Sequence, residues 1–93
     1  MTSEKQKAIK NIPYKFVKVY WVDITSDSAW RSLEEIKEEK LPRCVSTGFL
    51  VSDEKDVLRM VSDFNFKEDG TIDECGNSTI IPKSVVQEVK EVS

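Results

Sequence analysis

The sequence predicts a mainly β domain, a small antiparallel barrel of five short strands with one short helix in its first long loop. Several segments are rich in β-branched and aromatic residues, which favour strands. Two of these segments flank a tight polar turn, as in a hairpin. Before residue 85, helical periodicity is confined to one short segment, and the length of 93 residues fits one domain.

The clearest strand covers residues 14–23, Tyr-Lys-Phe-Val-Lys-Val-Tyr-Trp-Val-Asp. The charged residues 1–13 before it lack periodicity, so we expect a flexible N-terminal arm there and a single domain over residues 14–93. Alternation gives the strand two apolar faces, Val17, Val19 and Trp21 on one and Phe16, Tyr20 and Val22 on the other. The sequence leaves open which of them points inward.

The first long loop contains the predicted helix. Ser32 and Glu35 have the spacing of a capping box, which favours a helix over residues 33–40. Pro42 should end it, because a residue before proline avoids the helical conformation. Only two apolar residues form its stripe, so we expect most of this helix to face solvent.

The middle of the chain predicts a hairpin. Residues 43–51 form the second strand, and Gly48 within it indicates a bulge or a strong bend. Residues 52–55 form a tight polar turn, and residues 56–64 form the third strand.

The C-terminal third is less regular. Residues 65–78 predict a long acidic loop, followed by a short strand at residues 79–81 and a helical turn beginning at Pro82. Residues 85–92 fit a helical stripe about as well as a strand, and their β-branched content favours a strand beginning at Val86.

The order of these elements resembles the layout of Src-homology-3-like barrels. The shared features are a long first connection, a tight central hairpin and one helical turn before the last strand. A layout of this kind predicts the fold and does not decide the function.

Four segments together resemble small uncharacterised phage and prophage proteins. They are Val-Tyr-Trp-Val-Asp, Ala-Trp-Arg-Ser-Leu-Glu-Glu-Ile, Leu-Pro-Arg-Cys-Val-Ser-Thr-Gly-Phe-Leu-Val and Ile-Ile-Pro-Lys-Ser-Val-Val. The resemblance covers most of residues 16–90. It implies a viral protein that acts in the cytoplasm of the host cell, and it implies no particular activity.

Composition argues against several classes of protein. The net charge is −3 and the lysines are dispersed among acids, which disfavours nucleic acid as a partner. No apolar run approaches the ~18 residues of a membrane span, and the polar N-terminus does not resemble a signal peptide, so we expect a cytoplasmic protein without a membrane partner. Histidine is absent, which removes the commonest general base, and we predict no enzymatic activity.

No metal or other cofactor is expected. Cys44 and Cys75 have no metal-binding spacing, and in a reducing compartment they should be free thiols, the first in a strand and the second in a mobile loop. The segment around Gly70 resembles a calcium loop, but Lys67 and Gly76 then occupy ligand positions that need oxygen side chains. We interpret it as a solvated hairpin loop.

Five residues are candidates for a binding site. Trp21 and Trp30 can flank a groove, although each is more simply a core residue. Arg31 and Arg43 bracket the helix and can clamp a phosphate or carboxylate, with surface ion pairs as the simpler interpretation. Asp23 can bind a cation or act in acid–base chemistry, or cap the following loop.

These observations predict an accessory binding module for a host or viral partner. A specific version is a homo-oligomer that holds a small anionic ligand, such as a nucleotide signal of host defence, between subunits. The two-faced first strand motivates the oligomer, most simply a two-fold dimer. The alternative is a minor structural or assembly component of a virion.

Overall fold

A computed structural model describes Ala8 and residues 11–93, so most of the predicted N-terminal arm lies outside the described residues. The domain is mainly β, with five antiparallel strands in one sheet and one short helix. The elements are β1 (Phe16–Val22), α1 (Leu33–Glu38), β2 (Arg43–Asp53), β3 (Val57–Phe66), β4 (Ile72–Pro82), a 3-10 turn (Lys83–Val85) and β5 (Val86–Glu91).

The strand order is β4-β3-β2-β1-β5, so β4 and β5 are the two edge strands. β2 is shared between two halves of the sheet. Its first part pairs with β1, from Val22 opposite Arg43 to Phe16 opposite Phe49, and its last part pairs with β3. Together with the 3-10 turn before β5, this is the connectivity of the Src-homology-3-like layout.

Gly48 lies where β2 passes from β1 to β3. It is buried, and a Cβ atom at this position would lie 3.0 Å from the carbonyl oxygen of Val61 and 3.2 Å from Cβ of Met60. Glycine allows this close approach of two strands, and any larger residue would require its neighbours to move. The predicted irregularity is confirmed nearby, because the pairing of β2 with β3 shifts register between Leu50 and Ser52.

The core is small and lies on one face of the sheet. Strands β1, β3 and β4 contribute its buried residues, which are Val17, Val19, Leu58, Met60 and Ile81. Four partly buried residues pack against them, Trp21, Leu50, Val85 and Val86. The face of β1 that holds Val17 and Val19 is therefore the inner face. Tyr20 and its neighbours of the same parity lie on the opposite side, which we call the outer face.

The predicted loop over residues 65–78 is wrong. β3 continues to Phe66 and β4 begins at Ile72, so only a tight turn separates them, with Lys67 N donating to Thr71 O at 2.8 Å. Gly70 in this turn has a φ of 89°. An edge strand needs few apolar side chains, which is why an acidic sequence here forms one of the longest strands.

Cys75 therefore lies in β4 and not in a mobile loop, whereas the placement of Cys44 in a strand is confirmed.

The C-terminal segment, whose pattern fits a helix about as well as a strand, forms the predicted strand. β5 begins at Val86 and pairs antiparallel with β1, placing Val89 opposite Val19.

The capping box is confirmed, since Glu35 N donates to the Ser32 hydroxyl at 3.1 Å and Ser32 N donates to the Glu35 carboxylate at 3.3 Å. The helix ends at Glu38, slightly earlier than predicted, and none of its residues is buried. Asp23 N donates to Pro42 O at 3.0 Å, and this hydrogen bond closes the base of the loop that contains α1. We call residues 24–41 the α1 loop.

Candidate functional site

The two tryptophans do not share a groove. Trp21 packs against the core, and its indole N–H donates to the Ser46 hydroxyl at 3.0 Å, which confirms the core interpretation. Trp30 has 101% of its reference surface exposed, so the expectation that it packs in the core is wrong. The α1 loop closes on itself through its own polar contacts and leaves the indole in solvent.

Arg31 forms ion pairs within the α1 loop. Its guanidinium donates to Glu39 Oε1 at 2.6 Å, and its Nε lies 3.9 Å from Asp27 Oδ2. The hydrogen bond with Glu39 raises the pKa of Arg31 above its usual value. The interpretation of Arg31 as a surface ion-pair partner is confirmed.

Asp23 caps the start of the α1 loop. Its Oδ1 accepts a hydrogen bond from Ile24 N at 2.8 Å, as the capping interpretation predicted. Among the residues that the structure describes, no group of three His, Cys, Asp or Glu side chains could hold a metal ion.

Arg43 differs from the other two arginines. Arg59 donates to Glu54 Oε1 at 2.7 Å and to the Ser52 hydroxyl at 3.0 Å, and Arg31 is paired as described. Arg43 has no carboxylate within ion-pairing distance among the described residues. Its guanidinium retains all its donors for a ligand.

Arg43 borders an open groove on the sheet. The groove has a volume of about 750 Å³ and lies where the end of β1 meets the starts of β2 and β5. Its lining residues are Tyr20, Arg43, Cys44, Val45, Gln87 and Glu88. We call this the β1 groove.

The charge in the β1 groove is unevenly compensated. Glu88 contributes the only carboxylate of its lining, and Lys90 Nζ lies 3.8 Å from Glu88 Oε2. The same ammonium lies 5.6 Å from the centroid of the Tyr20 ring. Lysine thus offsets the acid, whereas the charge of Arg43 stays uncompensated. A guanidinium, an aromatic ring and the Gln87 amide can together hold a planar anionic molecule.

Sequence reasoning selected Arg43 and missed the other side chains of this groove. Tyr20 lies opposite Val45 on one side and opposite Glu88 on the other, so three distant parts of the chain meet here. The outward-facing aromatic residue on β1 was the available signal. It could be used only once the pairing of β1 with β5 was known.

An aromatic cluster marks a second region of the outer face. Phe49 lies at its centre, with ring centroids 5.1 Å from Phe16 and 5.4 Å from Phe64, and Tyr14 stacks on Phe64 at 6.2 Å. Val61, the cross-strand neighbour of Phe49, is buried. The rings pack around Phe49, next to Gly48, and leave Phe16 partly exposed.

Comparison with known proteins gave no match to any family model, to any curated protein or to any solved structure. Within the described part of the chain, no helix has the length and apolar character needed to cross a membrane.

Proposed function

We propose that this chain is a non-enzymatic accessory protein of the phage type, which acts in the host cytoplasm and binds a small anionic ligand in the β1 groove. The observation that carries the proposal is the uncompensated guanidinium of Arg43 beside the ring of Tyr20 in a groove of about 750 Å³. A volume of that size is within the range of small-molecule sites.

The chemistry of the lining favours a ligand with an aromatic ring and a phosphate. Aromatic side chains bind bases by stacking, and arginine binds phosphate through parallel hydrogen bonds. A nucleotide contains both groups. A nucleotide signal of host defence is therefore the ligand class that we propose, and sequestration of such a signal requires binding only.

Binding is favoured over acid–base catalysis, because the lining of the groove has neither a histidine nor a second carboxylate. The chain contains no histidine. The single carboxylate of the lining, Glu88, lies beside Lys90, so no second acid is placed for a two-carboxylate mechanism.

The test is calorimetric titration with nucleoside mono- and diphosphates, cyclic dinucleotides and inorganic phosphate. Arg43→Ala should weaken nucleotide binding by roughly tenfold or more, because it removes a charge-assisted contact. Arg59→Ala is the matched control, since it removes the same charge from an arginine already paired with Glu54. Tyr20→Leu should weaken nucleotides and leave the weak binding of inorganic phosphate unchanged.

Two results would overturn the proposal. One is the absence of binding by every ligand at millimolar concentration. The other is an equal loss in Arg43→Ala and Arg59→Ala, which would mean that only net charge matters.

A minor structural or assembly component of a virion is the second candidate. The exposed apolar side chains of the α1 loop favour it, because such a surface suits contacts with protein. Retention of the protein in purified virions, measured by mass spectrometry, would support this function over ligand capture.

A further inference from the structure

The α1 loop exposes an unusual amount of apolar surface. Five of its large side chains are about half exposed or more, Ile24 (82%), Trp30 (101%), Leu33 (76%), Ile36 (49%) and Leu41 (52%). Added together, these five residues expose roughly 700 Å² along the loop, an amount of the order of the ~800 Å² that each partner buries in a standard protein–protein interface. Large apolar side chains exposed in this number on one short loop favour a contact with another molecule.

The charge of the α1 loop indicates what kind of surface covers it. Acidic residues outnumber basic ones among residues 24–41. Glu34 and Glu38 lie one turn apart on α1, and neither has a cation within ion-pairing distance in the described part of the chain. The complementary surface should be apolar with exposed cations.

The outer face of the sheet has this composition. Lys18 of β1 lies directly opposite Lys90 of β5, an arrangement that is unfavourable for like charges in neighbouring strands. Phe16 and Val92 are partly exposed at the same end of the face, at 37% and 38%. Glu88 offsets part of the charge of Lys90, and an acidic partner would relieve the remaining repulsion between the two lysines and cover the apolar groups.

We propose that two copies of this chain associate, with the α1 loop of each docked on the outer face of the other. In this dimer Glu34 and Glu38 of one copy face Lys18 and Lys90 of its partner, and Leu33 packs against the exposed aromatic edge. A two-fold axis uses the same two surfaces twice, which doubles the buried area. The dimer does not require a ligand in the β1 groove, although Lys90 borders both the groove and the docking face.

Packing of one α1 loop against the other is disfavoured by the same charges. A two-fold contact between two copies of α1 would bring Glu34 and Glu38 close to the same acids of the partner. Like charges across an interface weaken association and select against that arrangement.

The experiment measures molar mass by light scattering and the dissociation constant by sedimentation. At about 100 µM, in the range where micromolar contacts are populated, the wild-type mass should be twice the 10.7 kDa of the chain. Leu33→Glu should weaken the dimer by roughly thirtyfold or more, because it places a charge in the apolar centre. Ile80→Glu is the matched control, a similarly exposed residue (60%) on β4, at the edge of the sheet opposite to β5 and away from Lys18 and Lys90. It should leave the mass unchanged.

A charge exchange tests the pairing itself. Lys18→Glu and Glu38→Lys should each weaken self-association by roughly tenfold, since symmetry repeats each lost pair. An equimolar mixture of the two variants should recover the dimer, because Glu at position 18 of one chain then meets Lys at position 38 of the other at one contact and the second contact is native. Circular dichroism checks that each variant remains folded.

Three outcomes would overturn the proposal. The first is a wild-type monomer at this concentration. The second is loss of the dimer in Leu33→Glu while both charge variants keep it, which would place the α1 loop against a different surface. The third is failure of the mixed variants to recover.

Discussion

Substitution of Gly48 by alanine tests the packing that bends the sheet. The new Cβ would lie 3.0 Å from the carbonyl oxygen of Val61 and 3.2 Å from Cβ of Met60. The first neighbour is backbone in the middle of β3 and cannot rotate away, and Met60 is buried in the core. The strands must therefore separate by a few tenths of an ångström or strain the core.

The expected cost follows from two opposing effects. Overpacking in a close-packed interior costs about 1–3 kcal/mol, whereas alanine lowers the entropy of the unfolded chain and returns about 0.4–1 kcal/mol. The free energy of unfolding should fall by about 1–2 kcal/mol, and Tm by about 5–15 °C for a domain of this size. Urea unfolding followed by tryptophan fluorescence measures the change.

Gly76→Ala is the matched control. It lies in β4, and a Cβ atom there would meet nothing within 4 Å. This variant should be neutral or slightly more stable, because only the unfolded-state entropy changes. Equal effects of the two substitutions, or no effect of Gly48→Ala, would refute the account of the bend.

Three further predictions concern the tryptophans and the cysteines. Trp21→Phe should cost about 1–2 kcal/mol of unfolding free energy in urea titration, because it removes the hydrogen bond to Ser46 and part of the core packing. Trp30→Ser should change it by less than about 0.5 kcal/mol, since the side chain is fully exposed, and a larger loss would contradict its position. Cys44 lies in β2 and Cys75 in β4, and β3 separates these strands, so the two residues are roughly 10 Å apart or more and too far for a disulfide bond. Mass spectrometry under non-reducing conditions should therefore show the full mass, without the loss of two protons that a disulfide bond would cause.

Local signals in the sequence were sufficient for several elements. The capping box of Ser32 and Glu35 predicted α1, and the β-branched residues from Val86 predicted β5. Each of these signals acts between residues close in sequence, through a side-chain hydrogen bond or a backbone preference. The order of the elements then predicted the layout of the sheet.

The conformation of an edge strand or an exposed loop depends on the elements beside it, and the predictions for β4 and for Trp30 were wrong for this reason. β4 contains few apolar residues in its first half, yet it forms a strand because β3 supplies backbone partners. Trp30 was expected in the core because small domains bury their largest side chains. Its loop instead stands away from the sheet, which no local pattern indicates.

The sequence by itself determined that β1 has two apolar faces and that Arg43 follows the α1 loop. Only the tertiary structure decided that Val17 and Val19 point inward, because β3 and β4 cover that face with Leu58 and Ile81. Only the structure placed Arg43 beside Tyr20 and Glu88, because the pairing of β1 with both β2 and β5 joins residues far apart in sequence. Long-range strand pairing is selected by the burial of the whole core, so a local pattern cannot specify the groove that it creates.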